Sequence, residues 1–150
     1  MEIKRYTKDR MGDCLQFERD LRTEEDFWGW AIDDAYIASV TASFENDRFQ
    51  NSVSLLAYEQ GRVGGRIDST LICSHFDGSI KAYLDWICVL KSQRHQGTAQ
   101  ALMAELRSVL KREYGADTLI GLIASNPEAQ RFYRALPNAL IRDEGIWIDL

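Results

Sequence analysis

One segment, residues 81–125, restricts the folds open to this chain. It begins with KAYLDWICVL, almost continuously apolar, and ends with TLIGLIAS, apolar again. Between them lie Ala99, Leu102, Met103, Leu106, Val109 and Leu110, recurring every three or four residues, so Thr98 to Tyr114 reads as an amphipathic helix that stops at Gly115. Runs too apolar to alternate belong to strands buried on both faces. A crossover containing a whole helix joins parallel neighbours and is right-handed. The segment therefore demands a sheet with helices packed over it.

The other elements fit around this unit. MEIKRYT reads as a first strand, and residues 9–21 as a helix carrying Met11, Cys14, Leu15 and Phe17. A second helix is expected to start near Thr23, where TEED offers a cap and an acidic first turn, with Trp28, Ile32, Tyr36 and Val40 every four residues. Next comes a hairpin turning at residues 60–62, with strands over 53–59 and 63–74; Gly64 and Gly65 inside it suggest a bulge or a close backbone approach. DGS marks a second turn, NPEAQRFYRAL a short helix and GIWIDL a closing strand. Short connections make the early strands antiparallel. The expectation is an α/β (α+β) fold: one domain over residues 1–150, a mixed central sheet of about six to seven strands, and helices on both faces.

At 150 residues and 45% hydrophobic, the chain can fill one such core. No apolar run approaches the roughly 20 residues of a membrane span, and the N-terminus has no signal-like apolar stretch. Cys14, Cys73 and Cys88 are odd in number and scattered, which argues against a disulfide framework or a zinc site and fits a reducing cytoplasm. A net charge of −5 disfavours a general nucleic-acid binder and suits a cationic or neutral partner.

The loop LKSQRHQGTA, residues 90–99, joins the first buried strand to the helix. The first N–H groups of any helix lack an internal partner and carry about half a positive charge. With Gln96, Gly97, Thr98 and Ala99 offering no bulky apolar cover, an anion can approach those N–H groups, and Arg94 and His95 add charge. Neither a Walker loop nor a GxGxxG fingerprint is present. On spacing alone, a plain loop glycine at a helix start explains Gly97 equally well.

VLKSQRHQGTAQALM resembles the central motif of the GCN5-related N-acetyltransferase (GNAT) family, [QR]xxGx[GA] after a strand ending in valine. Arg94, Gly97 and Ala99 fill its fixed positions, and Val89 stands five residues before Arg94. NPEAQRFY, running from Asn126, is similar to the family's Asn-x-x-Ala-x-x-Phe-Tyr, one helix and one strand later. The element order is similar along essentially the whole chain. This resemblance implies an acetyl-CoA-dependent acyltransferase. Arg94, His95, Gln96, Gly97, Thr98 and Ala99 would hold the pyrophosphate, and Ile87, Cys88 and Val89 would pair with the pantetheine arm. A backbone N–H near Val89 would polarise the thioester carbonyl. Relatives usually follow Phe-Tyr with a Gly-Phe pair, whereas this chain has RALPNALIRDEG, a departure that bears on the acceptor side.

In the family, the tyrosine matching Tyr133 donates to the departing thiolate, and the asparagine matching Asn126 contacts the cofactor. Bland readings stand beside these: Tyr133 as a core aromatic next to Phe132, Asn126 as an ideal N-cap before Pro127. Asp85 lies four residues before Val89, where relatives often carry an acidic general base; a water relay or a structural pairing with an arginine are the alternatives. Strand alternation would set Asp85 with Ile87 and Val89, apart from Trp86 and Cys88. Cys88 reads better as a small buried hydrophobe than as a nucleophile, and neither His75 nor His95 has the partners of a catalytic triad.

The acidic and aromatic stretch from Thr23 to Val40 matches the part of the family that walls the acceptor. It would favour a cation-bearing small-molecule amine such as a polyamine, amino sugar or lysine-like amine, although a helix with one core face and one wet face explains it too. The expected activity is acetyl transfer from acetyl-CoA to a primary amine by direct attack, with no metal, no nucleic acid and no membrane involved. The alternatives are a non-catalytic acyl-CoA-binding or regulatory module, and an acetyltransferase for protein N-termini or lysines. Homodimers are common in the family.

Overall fold

A computed structural model describes every residue except Phe27, Trp28, Asp143, Glu144, Trp147 and Leu150. Its backbone divides into two compact units, Met1–Ile120 and Gly121–Leu150. In chain order the elements are β1 (Glu2–Arg5), α1 (Met11–Glu24), α2 (Asp34–Ser43), β2 (Ser52–Glu59), β3 (Arg62–Cys73), β4 (Ile80–Val89), α3 (Thr98–Tyr114), β5 (Thr118–Gly121) and α4 (Pro127–Arg134). The five strands form one mixed sheet in sequential order, antiparallel from β1 to β4 and completed by β5 across the α3 crossover.

Both faces of the sheet are covered, which is why the central strands lose clean alternation. Leu56 and Tyr58 of β2 share a buried cluster with Cys14, Phe17 and Leu21 of α1. Successive side chains point to opposite faces, so Val53, Leu55 and Ala57 turn the other way, and α3 packs on the sheet through buried Leu102, Leu106 and Val109. Burying a leucine or phenylalanine side chain contributes about 1.5–3 kcal/mol, so these two layers dominate the stability of the first unit.

The hairpin turns at Gln60 and Gly61, with φ of 50° and 79°, the double left-handed geometry of a two-residue turn. Both readings of the glycine pair hold. Ala57 faces Gly65 but Tyr58 faces Val63, so Gly64 is the extra residue of a bulge. A Cβ on Gly65 would lie 3.0 Å from both Leu102 Cδ1 and Thr98 Cγ2, so the bare backbone lets α3 sit directly on β3.

Three expectations need correction. Five strands occur among the described residues, not six to seven: β5 stops at Gly121, and the described residues of 145–150 are not in a strand, while Trp147 and Leu150 lie outside the description. No helix begins at Thr23. α1 runs on to Glu24, and the second helix starts at Asp34, where Asp33 accepts the Tyr36 N–H at 2.8 Å. Of the four-residue series expected there, Trp28 lies outside the described residues and Ile32 precedes the helix. Finally, Asp85 does not keep step with Ile87 and Val89, for a reason given below.

Candidate active site

Residues 90–97 lead from β4 into α3 through a loop pinned from below. Arg94 donates through Nε to the Val89 carbonyl at 3.2 Å and pairs with Glu25. The Ser92 N–H and hydroxyl both donate to Glu24, at 2.9 and 2.7 Å. Burial works against the ionised Glu24 carboxylate, but the Ser92 hydrogen bonds win and hold its pKa below the usual range. These two acids were missed as site residues because TEED looks like a helix start. A signal existed: carboxylates at a helix C-terminus oppose the macrodipole and need donors from elsewhere.

Above that anchor the loop is bare. His95 and Gly97 take φ of 61° and 84°, and the first bond of α3 runs from the Ala101 N–H to the Gly97 carbonyl at 2.9 Å. The N–H groups of Thr98, Ala99 and Gln100 therefore have no acceptor within the helix. α2 and α4 are capped by the side chains of Asp33 and Asn126, whereas nothing caps α3. The space that a Gly97 Cβ would enter contains no protein atom within 4 Å. A diphosphate fits this corner, with three amides at the positive end of a 17-residue helix. Arg94 and Ala99 are half-buried, Thr98 is buried, and His95, Gln96 and Gly97 are exposed. A cavity of about 530 Å³ beside Ser92 and Gln96 is a poor rival for an anion, because Asp20, Glu24 and Glu59 line it.

β4 leads from this corner to a second cavity. The Asp117 N–H meets the Ile80 carbonyl at 2.9 Å, and β5 is four residues long. At about 3.3 Å per residue, β5 accompanies β4 only to the neighbourhood of Leu84, so Ile87, Cys88 and Val89 lie beyond its reach. Burial is the main cause that pushes the Cys88 thiol up to about 12, consistent with a packed hydrophobe rather than a nucleophile.

Asp85 is the extra residue of a bulge in β4: Asp68 faces Trp86, and Ser69 faces Leu84. The phase of the strand shifts there, so even-numbered Ala82 and Leu84 are buried before it and odd-numbered Val89 after it. Asp85 and Trp86 consequently line the same cavity instead of opposite faces, which overturns the alternation expected from sequence. That cavity, about 770 Å³, is walled also by Tyr6, Trp30, Tyr36, Arg66 and Asp68. Asp85 is exposed into it and accepts from the Thr70 hydroxyl at 2.7 Å. Partial burial, with the nearby Asp68 adding to it, raises the Asp85 carboxyl above the ordinary value.

Below the cavity floor lies a charge cluster with no sequence motif. Arg66 Nη1 is 2.7 Å from Glu18 Oε1 and Arg66 Nε is 2.8 Å from Asp68 Oδ2, with Glu18 only 1% exposed. The guanidinium also stacks on Tyr6 and Trp86, 4.8 and 5.7 Å from the ring centres. The Tyr36 hydroxyl donates to Glu18 Oε1 at 2.8 Å, tying α2 to α1. The only sequence hint is an acid inside the apolar face of α1.

In the second unit, Asn126 caps α4 by accepting the Ala129 N–H at 2.8 Å, as Asn before Pro suggests. Tyr133 stands on that helix, half-buried, its ring edge-on to Phe132 at 5.1 Å. Burial raises its hydroxyl pKa, so it is a proton donor at neutral pH.

The model of the Acetyltransferase (GNAT) family matches residues 2–136. No curated protein matches the sequence significantly. Among solved structures, the aminoglycoside acetyltransferase meta-AAC0020 from an uncultured soil metagenomic sample, in complex with trehalose, superposes with a TM-score of 0.82 at 16% identity, covering 99% of this chain and 95% of that one. AAC(6')-Iy in complex with a bisubstrate analog, CoA-S-monomethyl-acetylneamine, gives 0.77 at 21% identity, covering 99% and 97%. Ribosomal-protein-alanine N-acetyltransferase from Brucella melitensis gives 0.75 at 17% identity, covering 100% and 99%. At such identities these likenesses establish the fold, while the family match spans nearly the whole chain, from β1 past α4. The chain is a member of the GNAT acetyltransferase family.

Proposed function

We propose that this protein moves an acetyl group from acetyl-CoA to a primary amine of a small molecule by direct attack, and that residues 1–150 act as one acetyltransferase domain in the cytoplasm. The observation that carries the reading is the uncapped, uncovered start of α3: three unpaired helix amides facing a corner where Gly97 leaves no side chain. The family match running through both units supports the single domain.

In this scheme residues 94–99 hold the diphosphate, through the open amides at the start of α3 and the Arg94 side chain, and Asn126 contributes from the second motif. Ile87, Cys88 and Val89 present strand backbone to the pantetheine arm, and an N–H near Val89 polarises the carbonyl. One such donor contributes about 3–4 kcal/mol to the transition state. Bound acetyl-CoA supplies the acyl group as a thioester. The residues do the rest. The 770 Å³ cavity admits the amine beside Asp85. Asp85 takes the proton that the attacking nitrogen sheds, directly or through one water, and Tyr133 donates to the sulfur as it leaves. The neighbour meta-AAC0020 is an aminoglycoside acetyltransferase and AAC(6')-Iy holds the bisubstrate analog CoA-S-monomethyl-acetylneamine, which supports a small-molecule acceptor.

Calorimetry with acetyl-CoA tests the cradle. Binding is expected at micromolar ligand, and Gly97→Glu, which puts a carboxylate at the phosphate corner in a left-handed backbone position, should weaken it by about 100-fold or more. No binding by the wild-type protein at millimolar ligand sinks the proposal. Binding without acetylation of any amine would favour a non-catalytic acyl-CoA module.

Asp85 gives a pH test. A base works when deprotonated, so kcat should fall as pH drops through the Asp85 pKa, and burial places that acid limb above the ordinary aspartate value of 3.8. Asp85→Asn should remove the limb and slow turnover by about 100-fold. An unchanged kcat–pH profile in the variant would exclude Asp85 as the base.

A further inference from the structure

The loop that presents the diphosphate corner is held in an unfavourable backbone shape. His95, a residue with a side chain, takes a φ of 61°, and Gly97 follows at 84°. A non-glycine residue in the left-handed region persists where its surroundings fix it. The start of α3 gives no such help, since no side chain caps it. The restraint comes from α1, 68 residues earlier in the chain.

Ser92 sits in the middle of the short turn 91–93, and Leu90 ahead of it has no side-chain acceptor to offer. Glu24 supplies one. Its two carboxylate oxygens accept the Ser92 N–H at 2.9 Å and the Ser92 hydroxyl at 2.7 Å. The Ser92 carbonyl in turn accepts from Gln96 Nε2 at 3.2 Å, and Gln96 adjoins Gly97. A relay of hydrogen bonds thus runs from the last turn of α1 to the edge of the open amides.

The sign of the charge separates two roles for Glu24. The Ser92 bonds hold its pKa low, so it is ionised at neutral pH. A carboxylate beside a diphosphate repels it, and Asp20 and Glu59 line the same neighbouring cavity. Glu24 therefore cannot bind the anion; it can shape what does. Donors fixed in advance spare the ligand the entropy of ordering the loop.

Resting on the acetyl-CoA reading above, we propose that Glu24 is a positioning residue for the diphosphate: through Ser92 and Gln96 it keeps the corner in its binding shape before the ligand arrives. Glu25 differs, because its partner Arg94 is itself a group the diphosphate can draw on.

Calorimetry with acetyl-CoA separates the two roles by direction. Glu24→Ala removes both hydrogen bonds and should raise the Kd about tenfold, with kcat at saturating acetyl-CoA and the KM of the amine within about twofold of wild type. Glu24→Gln removes the charge, keeps one carbonyl for the Ser92 N–H, and should raise the Kd about threefold. Equal or tighter binding by Glu24→Ala means that only repulsion was lost and overturns the proposal; so does a fall in kcat at unchanged Kd. Ser92→Ala should cost about threefold alone and nothing in the Glu24→Ala background, since one relay carries both. Additive losses would overturn it too.

Amide hydrogen exchange reads the loop without ligand. The Gln93, Arg94 and Ala101 N–H groups bond to the Leu90, Lys91 and Gly97 carbonyls. In Glu24→Ala they should exchange about tenfold faster, while α3 from Leu102 onward keeps its wild-type rates. If the wild-type protein binds no acetyl-CoA, the transfer reading fails and this measurement still decides. Faster exchange confined to the loop upholds Glu24 as the restraint on the corner; unchanged exchange there, or faster exchange along all of α3, ends it.

Discussion

Arg66→Met is expected to lower the unfolding free energy by about 3–5 kcal/mol, the usual consequence of removing one partner of a buried ion pair. Glu18 is 1% exposed, and its Oε2 already has no hydrogen-bond partner, so Oε1 carries the whole interaction. Its two strong donors are Arg66 and Tyr36. Without Arg66, a carboxylate stays in the core with a single phenol to satisfy it, while Asp68 loses its cation as well. The double variant Glu18→Met/Arg66→Met should recover much of the loss, because the penalty comes from stranding a charge and not from lacking one. Urea unfolding of the two variants separates these contributions. A single-variant loss under about 1 kcal/mol would mean that water reaches Glu18, and the cluster would then be an ordinary surface pair.

That cluster also marks where the sequence stopped being readable. Local chemistry made much of the fold legible. Gln60 and Gly61 turn the hairpin, Gly97 and Gly115 bound α3 at their left-handed φ angles, and Asn126 caps α4 ahead of Pro127, all recognisable from short-range rules. What failed was decided by contacts far apart in the chain. The TEED acids finish α1 because Ser92 and Arg94, nearly 70 residues later, supply donors that no local pattern contains. The phase of β4 slips at Asp85 because β3 pairs Asp68 with Trp86 and Ser69 with Leu84, a register that only the partner strand specifies. Helix periodicity overran at the second helix because a four-residue spacing does not show where a helix starts: Ile32 lies ahead of the Asp33 cap, Trp28 lies outside the described residues, and only Tyr36 and Val40 of the series are helical. The site divides the same way. The bare start of α3 is a local feature and was visible, whereas the 770 Å³ cavity is assembled from α2, β2, β3, β4 and the loops beside them and had to be seen folded.

Tyr133→Phe is expected to cut kcat by about 100-fold while acetyl-CoA affinity stays within about twofold. The hydroxyl is the only atom removed, and Phe132 and the α4 backbone keep the ring in place, so stability should change little. The size of the effect follows from proton affinities. A free tyrosine near 10 is a weaker acid than a thiol near 8.5, so complete proton transfer to the departing sulfur runs uphill by roughly 2 kcal/mol. The gain therefore lies in a hydrogen bond that strengthens as negative charge builds on sulfur, a contribution realised only in the transition state. Burial raises the Tyr133 pKa, which keeps the hydroxyl protonated over a wider range. A donor is active when protonated, so the wild-type enzyme should lose activity as pH climbs through that raised pKa, above the free value of 10.0. The phenylalanine variant should be slow at every pH and lack the alkaline limb. Weakened acetyl-CoA binding with an unchanged kcat would assign Tyr133 to the binding surface. Unchanged values of both would return it to the aromatic packing of α4 and leave the departing thiolate to another donor.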